Sequence, residues 1–178
     1  MLSTLPILIY TWYSFFLYCS CPYNLDLDEL KNIVMNHILQ LSVSVLLKIE
    51  SHFSEQFSLH DIFMFPLVLI ITDILFGSLH FIFHKFFFHF HIEHHSIKIL
   101  SGWNAQVSST LEHLVLNVFP IYFSAYIVGL SYYPTLFWFC LAETYSITSH
   151  FPNTYHSKHH IFPNTNYGTS MGIFDSLI

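Results

Sequence analysis

The sequence predicts an all-α, multi-pass membrane protein with a histidine-rich di-metal site on its cytosolic face. Three observations carry this: only 9% of residues are charged while 53% are apolar, the apolar residues fall in long runs, and most of the 14 histidines follow those runs. Soluble domains usually carry about 25% charged residues. A chain with 9% lacks the polar groups to cover a globular surface in water. Five lysines, no arginine and a net charge of −6 leave no electrostatic footprint for nucleic acid. Cys19, Cys21 and Cys140 form neither a disulfide framework nor a Cys-x-x-Cys site.

The elements follow in order. Leu5 to Tyr18 is apolar and aromatic, and no lysine precedes it, so the positive start of a secretory signal is missing. A membrane-associated helix is expected there. Val34 to Ile49 fits a helix lying on or partly in the bilayer. Residues 62–79 form an apolar run broken only by Asp73, which matches the roughly 17–25 residues of a membrane span. Residues 1–61 are therefore expected to form N-terminal membrane-associated helices, and residues 62–178 a second, metal-binding unit. Residues 114–142 carry no charge, yet are too long for one upright helix and too short for two full spans of about 20 each. Their centre, Gly129-Leu-Ser-Tyr-Tyr-Pro134, is turn material. Extending the arms to Ser108 and His150 makes a helical hairpin with Glu112 and Glu143 near its open end.

The histidines carry the chemistry. The patterns are His80-x-x-x-His84, His91-x-x-His94-His95 and His156-x-x-His159-His160. At this histidine content an H-x-x-x-H pair arises about once by chance, whereas an H-x-x-H-H triple arises about 0.09 times and two of them about 0.004 times. The pair of triples is the signal. Residues three and four apart share one face of a helix, so each triple presents a stripe of imidazoles. The three motifs offer eight nitrogens, too many for one tetrahedral zinc ion, and imidazole suits iron, copper, nickel or zinc. Unmetallated, so many imidazoles at a bilayer edge would be costly. A shared site also requires both clusters on the same side of the membrane, which an even number of crossings by the hairpin provides. Lys85, Lys98 and Lys158 beside the clusters agree weakly with a cytosolic placement. A metal transporter is the competing class, but transporters place ligands at mid-membrane on broken helices. Here the histidines lie beyond the span ends.

These boxes, with Asn166-Tyr167-Gly168, Asp175 and the Leu111-Glu112-His113 stretch, resemble the fatty acid hydroxylase/sterol desaturase superfamily, and within it C4-methylsterol monooxygenase-like proteins. The resemblance runs from about Asp73 to the C-terminal end. It implies a non-haem di-iron oxidoreductase of the endoplasmic reticulum membrane, with two Fe ions held by His80, His84, His91, His94, His95, His150, His156, His159 and His160. It implies O₂, a lipid substrate, and cytochrome b5 or a reductase as electron donor. A 4-methylsterol is the first expectation for the substrate. A fatty-acyl or sphingolipid hydroxylase or desaturase, or a metal-binding pseudoenzyme, are the alternatives. Departures from the family pattern are Phe81, Ile92, Ser108-Ser109-Thr110 and a shortened third box that keeps only His150. One ligand is then missing, and His89 and His113 are the candidates to replace it. Asp73, Glu112 and Glu143 are candidate acceptors for imidazole N–H groups. His37, His52 and His60 are expected at interfaces. The aromatics Tyr122, Phe123, Tyr126, Tyr132, Tyr133, Phe137 and Trp138 are expected to pack against lipid and neighbouring helices and not to line a substrate tunnel.

Overall fold

The computed structural model describes residues 4, 5, 8, 9, 12, 13, 26–97 and 101–178, so most of the Leu5–Tyr18 segment lies outside the described residues. The described residues are helical, with no strand among them. Helix α1, Leu27–Leu46, starts ahead of the expected Val34 because Asp26 caps it. Its carboxylate accepts the N–H groups of Asp28 and Glu29 at 2.9 and 2.8 Å, and Glu29 reaches back to the Asp26 N–H. This reciprocal box satisfies donors that the first turn leaves without partners. The helix ends at Leu46, short of Ile49, where Lys48 turns left-handed and a 3₁₀ turn, Ile49–His52, follows. Asn36, buried on α1, donates to the Ser108 carbonyl at 2.9 Å and so docks the helix on the loop before the hairpin.

Helix α2, Leu59–Phe86, has 28 residues and spans about 42 Å, more than a bilayer core of about 30 Å. Its most apolar 18-residue stretch has mean hydropathy 2.3 and is only 22% buried, unlike the core helix of a soluble fold. Among the described residues it is the one helix long and apolar enough to cross a membrane. Ile62, Phe63, Leu67 and Ile70 point outward along it. A continuous apolar stripe of this kind is costly in water and suits hydrocarbon.

The hairpin is present, with one arm more irregular than expected. It opens as Thr110–Glu112, passes through a π-helical stretch, His113–Val118, and continues as α4, Phe119–Ile127. The turn holds Gly129 at φ 69°, a left-handed conformation that glycine adopts without a Cβ clash. Helix α5, Tyr132–Ser149, returns. Asp61 fixes the tip: one oxygen accepts the Ser131 N–H at 2.6 Å and the other the Ser58 N–H at 2.7 Å. The tip is thereby tied to the start of α2, and the open end of the hairpin falls at the end of α2. Val68, Ala125, Leu130, Trp138 and Phe139 share a core between these helices. Thr72 donates to Ser124 at 2.7 Å where α2 and α4 approach closely. Between α2 and the hairpin lies α3, Phe88–His95; after it comes α6, Tyr155–Ile161.

The C-terminal segment is clamped onto α2 by Asp73. This carboxylate is fully buried and accepts the Thr169 N–H at 2.7 Å, the Phe174 N–H at 2.9 Å and the Thr169 hydroxyl. Asp73 therefore serves backbone donors of the C-terminal loop, and no imidazole. Gly77, one turn on, lets the Phe174 ring approach: a Cβ there would lie 2.5 Å from it. Replacing Asp73 by alanine would leave buried N–H groups unpaired, each costing about 1–3 kcal/mol. Asp73→Ala is expected to lower the melting temperature in detergent and to expose residues 165–178 to protease. A protease pattern identical to the native one would contradict this clamp.

Candidate metal centre

The site is assembled at one end of the bundle. The last turns of α2 supply His80 and His84, α3 supplies His91, His94 and His95, the end of α5 supplies His150, and α6 supplies His156, His159 and His160. Their nitrogens converge in two adjoining groups. His80, His84, His91, His95 and His159 form one; His94, His150, His156 and His160 form the other. Within each group the candidate ligand atoms lie within 4.8 Å of one another. The H-x-x-H-H triples are thus split between groups, because i+3 and i+4 lie on opposite sides of i around the helix. In α3, His91 and His95 face the first group and His94 the second. In α6, His156 and His160 face the second and His159 the first.

The rings are oriented by their outer nitrogens. Nδ1 of His80 lies 2.8 Å from the Tyr167 carbonyl, that of His94 3.0 Å from Val107 O, and that of His159 2.6 Å from Thr165 O. His150 Nδ1 is 2.8 Å from Ser146 O, and His91 Nδ1 is 2.8 Å from a carboxylate oxygen of Glu112. A carbonyl only accepts, so each of the four imidazoles facing one carries its proton on Nδ1, and when neutral its Nε2 is bare. Those bare nitrogens face each other: His94 and His150 approach Nε2 to Nε2 at 3.4 Å. In the first group His80–His91 and His84–His159 approach at 2.9 Å, and His91–His95 at 3.1 Å. Two nitrogens about 2.1 Å from one ion at right angles sit about 3.0 Å apart. Converging lone pairs in a buried, acceptor-only nest repel unless a cation lies among them. The donor set therefore fits two metal ions, with outer-nitrogen acceptors of the kind that orient metal-bound histidine.

Several local features build this nest. Asn166, at φ 58°, takes a left-handed turn that aims the Tyr167 carbonyl at His80. Asp175 accepts the Tyr167 and Gly168 N–H groups at 2.7 and 2.8 Å. A Cβ on Gly168 would lie 2.9 Å from Asp175 and 3.2 Å from Asp73, so glycine alone fits between the two carboxylates. The Asn166-Tyr167-Gly168 sequence and Asp175 are thereby explained as one support. The short stretch from His150 to His156 closes as a tight turn with Asn153 left-handed. Thr154 caps α6 by accepting the Ser157 N–H at 3.1 Å, and its hydroxyl donates to Phe151 O at 2.9 Å. That turn brings the His150 and His156 rings to 4.8 Å.

Neither candidate replacement ligand joins the groups. His89 is exposed, and His113 is buried with its ring 6.4 Å from His37. Both His113 nitrogens lack hydrogen-bond partners. Of the two hairpin acids, Glu112 reaches an imidazole, while Glu143 pairs instead with Gln106 Nε2, at 3.0 and 3.1 Å. An apolar cavity of about 370 Å³ opens from the imidazoles and runs between α2 and the hairpin. Its walls include Leu69, Leu116, Ile121, Leu141 and Trp138, so Trp138 lines the cavity, contrary to the packing expectation. Tyr126, Tyr133 and Phe137 face outward.

Three kinds of comparison with known proteins bear on this arrangement. A profile of the fatty acid hydroxylase family matches residues 65–178. The match covers well over half of the chain, and the chain belongs to this family. No curated protein and no solved structure matches it. The family is membrane-associated and metal-dependent, and its chemistry is the oxygen-dependent oxidation of lipids.

Burial, and secondly crowding by neighbouring imidazoles, holds the histidines beyond the apolar helices well below the ordinary value of 6.5. His95 falls to about 3, and His91, His94, His156 and His160 are lowered in the same sense. These groups are neutral in the fold and titrate near 6.5 when unfolded. Below 6.5 the unfolded chain binds more protons, so their contribution is complete above that pH and is lost as pH falls toward about 3. Protons also compete with metal for the same nitrogens. Metal content and melting temperature should both fall progressively below pH 6.5, and retention unchanged at pH 4 would contradict histidine ligation. Purified protein should hold about two metal ions per chain, and a His94→Ala/His95→Ala double variant, which removes one nitrogen from each group, should lose the ion of the four-membered group and hold the other weakly enough to shed it under mild chelation. Full retention in that variant would refute the shared nest.

Proposed function

We propose that the chain is a membrane-bound di-iron lipid oxidoreductase of the endoplasmic reticulum that oxidises an unactivated C–H bond of a lipid, with a 4-methylsterol as the first substrate to test. The observation that supports it most is the pair of imidazole groups opening directly onto an apolar cavity. Residues 62–178 form the catalytic unit and residues 1–61 the membrane-associated helices. His80, His84, His91, His95 and His159 would hold one iron, and His94, His150, His156 and His160 the other. When bound, the two ions supply the activation of O₂ that such an oxidation needs, with electrons from cytochrome b5 or a reductase.

The protein's own part is positioning and exclusion. The carbonyls of Tyr167, Val107, Thr165 and Ser146 keep the protons on Nδ1 and leave the inner nitrogens as ligands. Glu112, 2.8 Å from His91 Nδ1, places its carboxyl group beside that ring. Leu69, Leu116, Ile121 and Trp138 take the apolar body of the lipid and keep water from the reacting end. The family description favours a fatty-acyl substrate as the second reading.

In the membrane, α2 crosses once, and the hairpin enters and returns on the same side, so that both clusters face the cytosol. Labelling of single cysteines placed at His89 and Lys158 should occur from the cytosolic side for both; labelling from opposite sides would refute the topology. Membranes containing the chain should oxidise a 4-methylsterol when given O₂ and reduced nicotinamide, and His159→Ala should abolish turnover while the helices stay inserted. Turnover of a long-chain fatty acid in its place would select the second reading. Absence of either product from metal-loaded protein would mark a pseudoenzyme.

A further inference from the structure

The cavity wall is mostly apolar, and among its polar side chains Gln106, Glu112 and Glu143 stand at the histidine end. All three are buried. Their hydrogen bonding is incomplete in one direction only. Gln106 spends its Nε2 on both oxygens of Glu143, at 3.0 and 3.1 Å. That pairing fixes the amide so that Oε1 is left over, and this oxygen is buried with no partner. Glu112 places one oxygen 2.8 Å from His91 Nδ1, and its other oxygen is buried without a partner. The vacant Gln106 oxygen can only accept, and the vacant Glu112 oxygen accepts when the carboxyl is ionised. A buried acceptor without a donor carries a penalty of about 1–3 kcal/mol, so such a pair in a ligand cavity is arranged for something that brings a donor.

We infer that Gln106, held in place by Glu143, is a specificity-determining residue that accepts a hydrogen bond from a hydroxyl on the lipid, and that this hydroxyl lies close to the carbon being oxidised. The inference rests on the lipid-oxidising reading of the cavity. The position follows from the chain: Gln106 precedes Val107, whose carbonyl anchors His94, and Glu112 anchors His91. The donor-seeking oxygens are therefore at the imidazole end, and the wall between α2 and the hairpin is mostly apolar. A lipid with a hydroxyl at its far end, or with none, leaves both oxygens unpaired. A lipid with a hydroxyl near the reacting carbon pairs at least one of them and is thereby held in register. Sites built to bond a hydroxyl reject analogues lacking it far more strongly than apolar pockets reject an extra methylene.

The test is binding to the purified, metal-loaded protein in detergent, read by energy transfer from tryptophan, Trp138 being in the wall, to a fluorescent sterol. Two probe pairs are compared, the second by displacement: dehydroergosterol against its O-methyl ether, and hexadecan-1-ol against its methyl ether. In at least one pair the alcohol should bind about tenfold or more tightly than the ether, and Gln106→Leu should bring that ratio to about one while ether binding persists. Ether binding shows that the variant is folded. Glu143→Leu, which frees the amide to rotate, should reduce the ratio in the same direction, whereas Leu141→Ala on the apolar wall should weaken alcohol and ether alike. Equal binding of alcohol and ether by the native protein in both pairs would overturn the inference and leave the lipid cavity standing. Binding of neither pair would overturn both.

Discussion

Everything at the functional end of this fold depends on one constraint: imidazoles from four segments must turn their Nε2 atoms inward while their outer nitrogens find acceptors. Neutral imidazole has one donor and one acceptor, and His80, His94, His150 and His159 spend their donor on a carbonyl, so these four bring bare Nε2 atoms to the middle. The structure meets the constraint from outside. Carbonyls at helix ends and in loops take the Nδ1 protons of His80, His94, His150 and His159, and a Glu112 oxygen lies 2.8 Å from Nδ1 of His91. The inner face is then a nest of lone pairs. A cation is what completes it.

The supports are arranged as successive layers around that nest. Tyr167 O holds His80; Asp175 holds the Tyr167 and Gly168 N–H groups; Asp73, on α2, holds the Thr169 and Phe174 N–H groups. Through these layers the C-terminal segment becomes part of the site although it carries no ligand. On the other side, Asn36 ties α1 to the loop that carries Gln106 and Val107. Asp61 does the equivalent work at the far end by fixing the hairpin tip, which sets the depth at which α5 delivers His150. Among the buried acids, Asp61 and Asp73 act on backbone N–H groups, where they replace the water that an apolar setting denies, while Glu112 and Glu143 face side chains.

Much of this was legible in the sequence, and for physical reasons. The H-x-x-H-H spacing states that imidazoles share a helix stripe, and all nine histidines named from the boxes lie in the two nitrogen groups. The hairpin was legible from turn residues and from the requirement that the clusters meet. The start of α1 was expected at Val34 and lies at Leu27, because periodicity overlooks the capping box that Asp26 and Glu29 form. What could not be read was long-range and mostly backbone. The partners of Asp73 are 96 and 101 residues away, so its place near His80 suggested an imidazole partner where there is a loop clamp. Main-chain carbonyls leave no trace in side-chain patterns, and Gln106 became visible only once Glu143 stood opposite it. His113, a candidate for the missing ligand, follows Glu112, and helix geometry turns it away from the nest by about 100°.

The central claim is that two separate nitrogen groups, interleaved along the same helices, each hold an ion. It is tested most directly by metal stoichiometry in two single variants of the purified protein. His84→Ala removes a nitrogen from the five-membered group alone, and His160→Ala one from the four-membered group alone. The account predicts that His160→Ala lowers the content from about two ions to about one, while His84→Ala, with four nitrogens remaining, weakens its ion without displacing the other. Loss of both ions together in His160→Ala, or no loss in either variant even under mild chelation, would contradict it.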